Sequence, residues 1–164
     1  MTSEFVHLHN HSDYSLLDGA QKIDQLVNTI DDLNMDAVAL TEHGNMFSVL
    51  PYYKQAKKAG IKPIIGCEIY VAVGSRFEKK TRSDGGWGNN HLILLAQNFT
   101  GYKNLMKLVT AGYLEGFYYR PRIDMDLLRE YSEGLICMSA CLKGVVPEKM
   151  LKGDYEGARK EALL

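Results

Sequence analysis

Residues 37–73 read AVALTEHGNMFSVLPYYKQAKKAGIKPIIGCEIYVAV. The run Ala37 to Thr41 is short, apolar and rich in small and branched residues, which predicts a buried strand. Ser48 to Ala59 carries a helical pattern and stops at Gly60, a residue suited to the left-handed position after a helix. Lys62 to Val73 is a second apolar run, a strand with a possible break at Gly66. Strand, helix, strand in about 35 residues is the outline of a βαβ unit.

The pattern continues in both directions. Upstream, Glu4 to His9 reads as a strand. Gln21 to Met35 reads as a helix with Ile23, Leu26, Val27, Ile30 and Leu33 on one face. Downstream, Leu92 to Ala96 (LILLA) is another buried strand. Thr100 is placed to cap a helix carrying Tyr102, Leu105, Met106 and Val109 on one face. Leu135 to Ser139 (LICMS) is a fifth strand, and Asp154 to Leu164 begins a further helix. Alternating β and α elements favour a parallel sheet or barrel, with strands covered on both faces. Two segments break the rhythm: the polar, glycine-rich stretch from Gly74 to Asn90, expected to be a mobile surface loop, and the aromatic and basic GFYYRPRID at 116–124. The chain ends inside a helical pattern without a stop signal, which reads as part of something longer.

Bulk composition narrows the classes. The chain has 164 residues, 46% hydrophobic and 24% charged, with a formal net charge of −1. That is ordinary globular composition for one domain. It argues against gripping nucleic acid by bulk charge alone, though not against a local basic patch. Three cysteines, Cys67, Cys137 and Cys141, form no pairing framework and fit a reduced, cytoplasmic setting. There is no signal peptide and no apolar stretch long enough to span a bilayer.

The chemistry concentrates in a few residues. His7, His9 and His11 alternate in VHLHNHSDYS, so on a strand they would share a face. Imidazoles crowded on one face need partners, and a metal supplies one. Asp18 follows in SLLDG, either a turn residue or a carboxylate that completes or bridges a metal site. His43 ends the second strand in TEHG, at the end where α/β folds place their sites, and Glu42 beside it could orient it. Glu68 lies in an otherwise apolar run and needs a cation there, either a metal or a basic side chain. Cys67 should point to the opposite face and join the core. On the same rule His91 lies at the wrong end of its strand and reads as a loop histidine. Cys141 lies at the right end and could be a thiolate ligand or a small buried side chain. Mixed histidine and carboxylate ligands suit Zn, Mn or Fe, with Mg possible, and two or more such metals clamp a phosphate for hydrolysis. No GxxxxGK[ST] or GxSxG motif is present, which excludes P-loop nucleotide chemistry and the serine-hydrolase elbow.

HLHNHSDYSLLDG, TEHG, GCE, HLILLAQN and SACLKG occur in that order, and together they resemble the polymerase and histidinol phosphatase (PHP) domain. LLDGAQKIDQLV, the 37–71 segment, HLILLAQNFTGYKNLMKLV and GFYYRPRID resemble the form of that family found at the start of bacterial DNA polymerase III alpha subunits. The resemblance implies a distorted β/α barrel, seven-stranded in the family, here cut to about five βα units, with a di- or trinuclear metal cluster at its mouth. The implied metal ligands are His9, His11, Asp18, His43, Glu68, His91 and Cys141. His7 becomes a neighbour of the cluster, and His91 is a ligand on the resemblance alone. A late Asp-x-His motif and about two strands of the family are absent, so residues 1–164 correspond to its N-terminal part. The resemblance further implies a replicative DNA polymerase (a nucleotidyltransferase) as the parent, with this domain a metal-dependent phosphoesterase acting as a 3′–5′ exonuclease. The polymerase aspartates would lie downstream. DNA, a separate proofreading exonuclease and a sliding clamp would be partners, with no membrane involved. Arg120, Arg122 and the 76–82 loop are candidate contacts to the DNA backbone. The alternatives are a non-catalytic structural domain that docks a proofreading subunit, and a free-standing histidinol-phosphatase-like enzyme.

Overall fold

A computed structural model describes residues 5–16, 18–80 and 88–163. Its elements are α1 (Ile23–Asp32), β1 (Ala37–Leu40), α2 (Val49–Lys58), β2 (Lys62–Ala72), β3 (Asn89–Ala96), α3 (Phe99–Leu114), β4 (Arg122–Ile123), α4 (Met125–Glu130), β5 (Leu135–Met138), α5 (Val145–Leu151) and α6 (Tyr155–Ala162). The fold is mixed α/β, with five strands in one sheet that does not close on itself among the described residues.

The first βαβ unit forms as the sequence predicts. β1 runs parallel to the first part of β2, from Ala37↔Lys62 to Leu40↔Ile65. Ile23, Leu26, Val27 and Ile30 of α1 share a core with Val38, Leu40, Tyr52, Ala56 and Ile61. At roughly 25 cal/mol per Å² this buried apolar stripe, rather than helix propensity, is what holds α1 in place. Leu33, expected on the same face, is exposed because the helix has ended and the chain turns at Asn34. Gly60 closes α2 with φ +79°.

β2 is continuous through Gly66, where it changes partners. From there to Ala72 it pairs antiparallel with β3, Gly66↔Leu95 through Ala72↔Asn89. Gly66 is required by close approach: a Cβ there would lie 2.6 Å from Leu95 Cδ2 and 2.7 Å from the Leu94 carbonyl oxygen. β4 lies parallel beside Tyr70 and Val71, and β5 runs antiparallel to β3. The expectation of parallel strands therefore holds for β1 with β2 and is corrected at β3. A parallel return needs a crossover, usually a helix with an apolar face, and the polar 74–90 connection offers none. Of that connection, Asn89 and Asn90 belong to β3, Arg76 is held by Glu115 and Asp124, and the 81–87 part of the expected mobile loop lies outside the described residues.

The two faces of β2 then separate by pleat. Cys67, Ile69 and Val71 pack with Leu94, Leu105, Leu108, Ile123, Leu127 and Leu128 in the main core. Glu68 and Tyr70 face the other way. α3 buries Leu105 and Leu108, while Met106 stays 39% exposed. Its N-cap is Asn98, whose side chain accepts from Gly101 N at 3.0 Å; Thr100 lies inside the helix, not at its cap.

Residues 5–11 correct a second expectation. They form no regular strand but run beside β1, with the His7 carbonyl accepting from Ala39 N at 2.8 Å and that of Asn10 accepting from Thr41 N at 2.9 Å. Three residues of this segment span two of β1. Asn10 fills the mismatch with its own side chain, its amide donating to the Ala39 carbonyl at 3.1 Å. That slip decides which histidines share a side.

Candidate metal centre

Glu68 is the hub of the site. It is 1% exposed, on the face of β2 opposite Cys67. One oxygen accepts from His9 Nε2 at 2.9 Å; the other accepts from His43 Nδ1 at 2.8 Å and His91 Nδ1 at 2.8 Å. Burial by itself would raise the Glu68 carboxyl, but these ring N–H donors hold it well below the ordinary carboxylate range. A carboxylate in an apolar strand is tolerated because three rings compensate it.

Each ring arrives from a different element. His43 follows β1, and a parallel bridge pairs it with Glu68: Gly44 N donates to the Glu68 carbonyl at 2.8 Å and Glu68 N to the Glu42 carbonyl at 3.0 Å. His43 Nε2 also donates to Asp18 at 2.9 Å. Burial lowers its pKa, but the hydrogen bonds to Glu68 and Asp18 outweigh that and raise it. His11 stacks on His43 with centroids 3.8 Å apart. Its pKa is lowered, by burial first and by the neighbouring His43 charge second.

His91 is where direction matters. On a parallel strand it would sit far from Glu68, which is why strand-end reasoning made it a loop histidine. β3 is antiparallel to β2, so the start of β3 lies beside the end of β2, with His91 paired to Tyr70. Cys141, just beyond β5, brings Sγ to 3.6 Å from His91 Nδ1. The structure thus gathers His9, His11, Asp18, His43, Glu68, His91 and Cys141 into one connected cluster.

His7 stays outside. Its ring lies edge-on to Phe5 at 4.8 Å and is exposed, because the slip against β1 breaks the expected alternation. Glu42 does not touch the His43 ring. It is buried among hydroxyls and accepts from Ser12, Ser15 and Ser48, while Ser15 Oγ accepts from His43 N at 3.1 Å. Glu42 therefore orients the His43 backbone through Ser15. No spacing in the sequence marked these serines. Arg122 is corrected as a DNA contact: it is 1% exposed, and its guanidinium donates to the carbonyls of Gly116, Arg76 and Glu78. Cys67 is fully buried, as expected, and burial raises its thiol.

The donor set fits a metal on two observations. The His11 and His9 Nε2 atoms face each other at 3.0 Å, with Glu68 Oε2 beside both, so two ring nitrogens compete for one acceptor. His11 Nδ1 is buried and has no hydrogen-bond partner among the described residues. The donor atoms of His9, His11 and Glu68 lie within 4.8 Å of one another, a span a single ion can bridge. Ligation would require protons to leave the rings, since a ligating nitrogen offers its lone pair.

Residues 7–163 match the family model of the PHP domain. Among curated relatives, the DNA polymerase III subunit alpha of Borreliella burgdorferi is 58% identical over 161 residues, covering 98% of this chain and 14% of the relative. Those of Treponema pallidum and Thermus aquaticus are 51% and 47% identical, covering 96% and 91% of this chain. The chain spans 12–14% of the length of these relatives. Among solved structures, a two-domain protein from Bacteroides vulgatus, containing a predicted PHP-like metal-dependent phosphoesterase, aligns with a TM-score of 0.46. It is 19% identical and covers 80% of this chain and 33% of its own. An amidohydrolase from Chromobacterium violaceum aligns with a TM-score of 0.45 at 20% identity, over 65% of this chain and 32% of its own.

Proposed function

The chain belongs to the PHP domain family, and from that premise we propose that its cluster binds divalent metals and hydrolyses phosphodiesters, as a 3′–5′ exonuclease within a replicative DNA polymerase alpha subunit. The observation that carries this reading is Glu68, a buried carboxylate on which three imidazoles from three separate segments converge. Such an arrangement has no role in a plain core, where a single satisfied polar contact would suffice.

His9, His11, Asp18, His43, Glu68, His91 and Cys141 would hold the metals, with Zn, Mn and Fe the ions that suit imidazole, carboxylate and thiolate together. Bound there, divalent ions supply Lewis acidity toward phosphate oxygens and an acidified water. The protein's own part is placement. Glu68 holds the rings of His43 and His91 in place by accepting from Nδ1 of each, and Asp18 engages Nε2 of His43 on the other side. Arg120 leans over the Tyr70 ring at 5.6 Å and puts positive charge at the edge of the site, where a phosphodiester would sit.

The polymerase context rests on relatives that all carry the same name over nearly the whole of this chain. It implies DNA as substrate, the other replicase subunits, including a proofreading exonuclease and a sliding clamp, as partners, and a cytoplasmic location. Among the described residues no helix is long and apolar enough to cross a membrane. The length of the relatives argues against a free-standing histidinol phosphatase.

The test is hydrolysis of DNA labelled at its 3′ end by full-length protein, with metal content measured alongside. His9→Ala and His43→Ala should each lose metal and activity. Activity unchanged in both would refute the exonuclease and leave a structural domain that docks a separate proofreading subunit.

A further inference from the structure

A cavity of about 1030 Å³ opens beside the cluster, lined by Asp18, His43 and His91 at one end and by Phe47, Tyr113 and Arg120 elsewhere. It lies at the upper end of the roughly 300–1,000 Å³ of ordinary small-molecule sites. Its aromatic side is unusual. Phe47 is 65% exposed and Tyr113 39%, with ring centroids 6.2 Å apart, and Phe117 continues the row at 6.2 Å from Tyr113. Phe47 leaves most of its ring in solvent, and apolar rings grouped beside a cleft, rather than scattered singly, mark a binding surface.

The wall is built onto the metal-binding turn. The Asn45 amide nitrogen donates to the His43 carbonyl at 3.1 Å, and its oxygen accepts from Phe47 N at 3.1 Å. The spacing between cluster and ring is therefore fixed by one side chain. Cationic Arg120 and Lys143 line the same cavity.

We propose that Phe47 and Tyr113 form a stacking wall for an unpaired nucleobase, so that the cavity seats a single-stranded nucleic-acid end with its backbone over Arg120 and its terminal phosphodiester toward the cluster. This rests on the exonuclease reading above and adds to it the residues that would hold the base of an unpaired end. A small phosphate ester would use the cations and the cluster but has no need of the rings. Every base has a π-face, so such a wall accepts any unpaired base whatever its identity.

The test is a binding measurement with the 164-residue chain in EDTA, so that its readout is independent of catalysis. Two 5′-fluorescein probes with free 3′ ends are compared by anisotropy at one salt concentration: an oligothymidylate, and an abasic strand of the same length and charge. The wild-type chain should bind the thymidylate roughly five- to a hundredfold more tightly per stacked base. Phe47→Ala with Tyr113→Ala should abolish that preference, and Phe47→Tyr should retain it. Equal binding of the two probes by the wild-type chain, or a preference that survives in the double alanine variant, overturns the proposal. Hydrolysis of bis-p-nitrophenyl phosphate by metal-loaded full-length protein checks the underlying reading separately. Its absence alongside an intact base preference would sink the phosphoesterase and leave the wall standing.

Discussion

Replacing Glu68 by Gln separates the fold from the metal. The amide keeps the shape of the carboxylate. Its oxygen can stay where it accepts from His43 and His91, and its NH₂ can take the position facing His9 and His11, whose neutral rings can accept. The metal-free cost is then the loss of charge from two or three hydrogen bonds, about 1–3 kcal/mol in all. A fold with a stability of about 5–15 kcal/mol survives that. Metal binding should not survive it. Removing a partner that merely orients a ligand costs about 10- to 100-fold in affinity, and loss of the central ligand charge should reach the upper end of that range. With metal at a hundred times the wild-type Kd, the wild-type chain gains about 2.7 kcal/mol of stability. A hundredfold weaker variant at the same concentration gains only about 0.4 kcal/mol. Urea denaturation of both proteins, with EDTA and with Zn or Mn, measures each term. A variant that gains as much from metal as the wild-type chain would refute the placement of Glu68 at the centre. A wild-type chain that gains nothing from any of these ions would refute the metal centre itself.

Two further outcomes follow from the geometry. Asp124 is buried; it accepts from Arg76 N and Leu127 N and pairs with the Arg76 guanidinium at 3.0 Å. Burial would raise its carboxyl, but these donors hold it below its ordinary value. A depressed folded pKa stabilises above the unfolded value of about 3.9 and ceases to as pH falls through the folded one. Asp124→Asn should therefore cost about 1.5–3 kcal/mol at pH 7. Denaturation midpoints should show that gap narrowing between about pH 5 and pH 3, and a constant gap would show that the charge contributes nothing. Gly44 has φ +63°, and a Cβ there would lie 2.7 Å from Pro121 Cγ and 2.9 Å from Tyr70 Cε2. Gly44→Ala should lose about 2–4 kcal/mol from backbone strain and overpacking together. It should also weaken metal binding, since His43 is the preceding residue; a midpoint within error of wild type would contradict this.

Much of this molecule was legible from residues alone. The runs at 37–41, 92–96 and 135–139 are strands, and the spacing of Ile23, Leu26, Val27 and Ile30 does face the core. Glu68 stood out because a carboxylate in an apolar run demands compensation. Strand direction was not legible, because an apolar run reads the same either way along the sheet. His91 was misplaced for that reason, and only its resemblance to a family motif put it with the cluster. His7 failed differently: alternation holds on a regular strand, and the Asn10 side chain makes this one irregular. Arg122 was read as exposed from its charge and its basic neighbours. Three backbone carbonyls from two segments fold over it, a contact no local pattern encodes.

Glu42 brings out a division of labour between the two buried carboxylates. Both are 1% exposed. Glu68 faces the rings, whereas Glu42 gathers hydroxyls from Ser12, Ser15 and Ser48. Ser12 and Ser15 flank the turn that leads to Asp18, and Ser15 also holds the backbone of His43. Two segments that carry proposed ligands, 28 residues apart at the Ser15 to His43 contact, are therefore moored to one anion. They travel together or not at all, so thermal motion that would open the cluster must first disturb a hydroxyl network on its far side. The cluster is ordered from behind, so an ion binding there as proposed would meet donors already held in place.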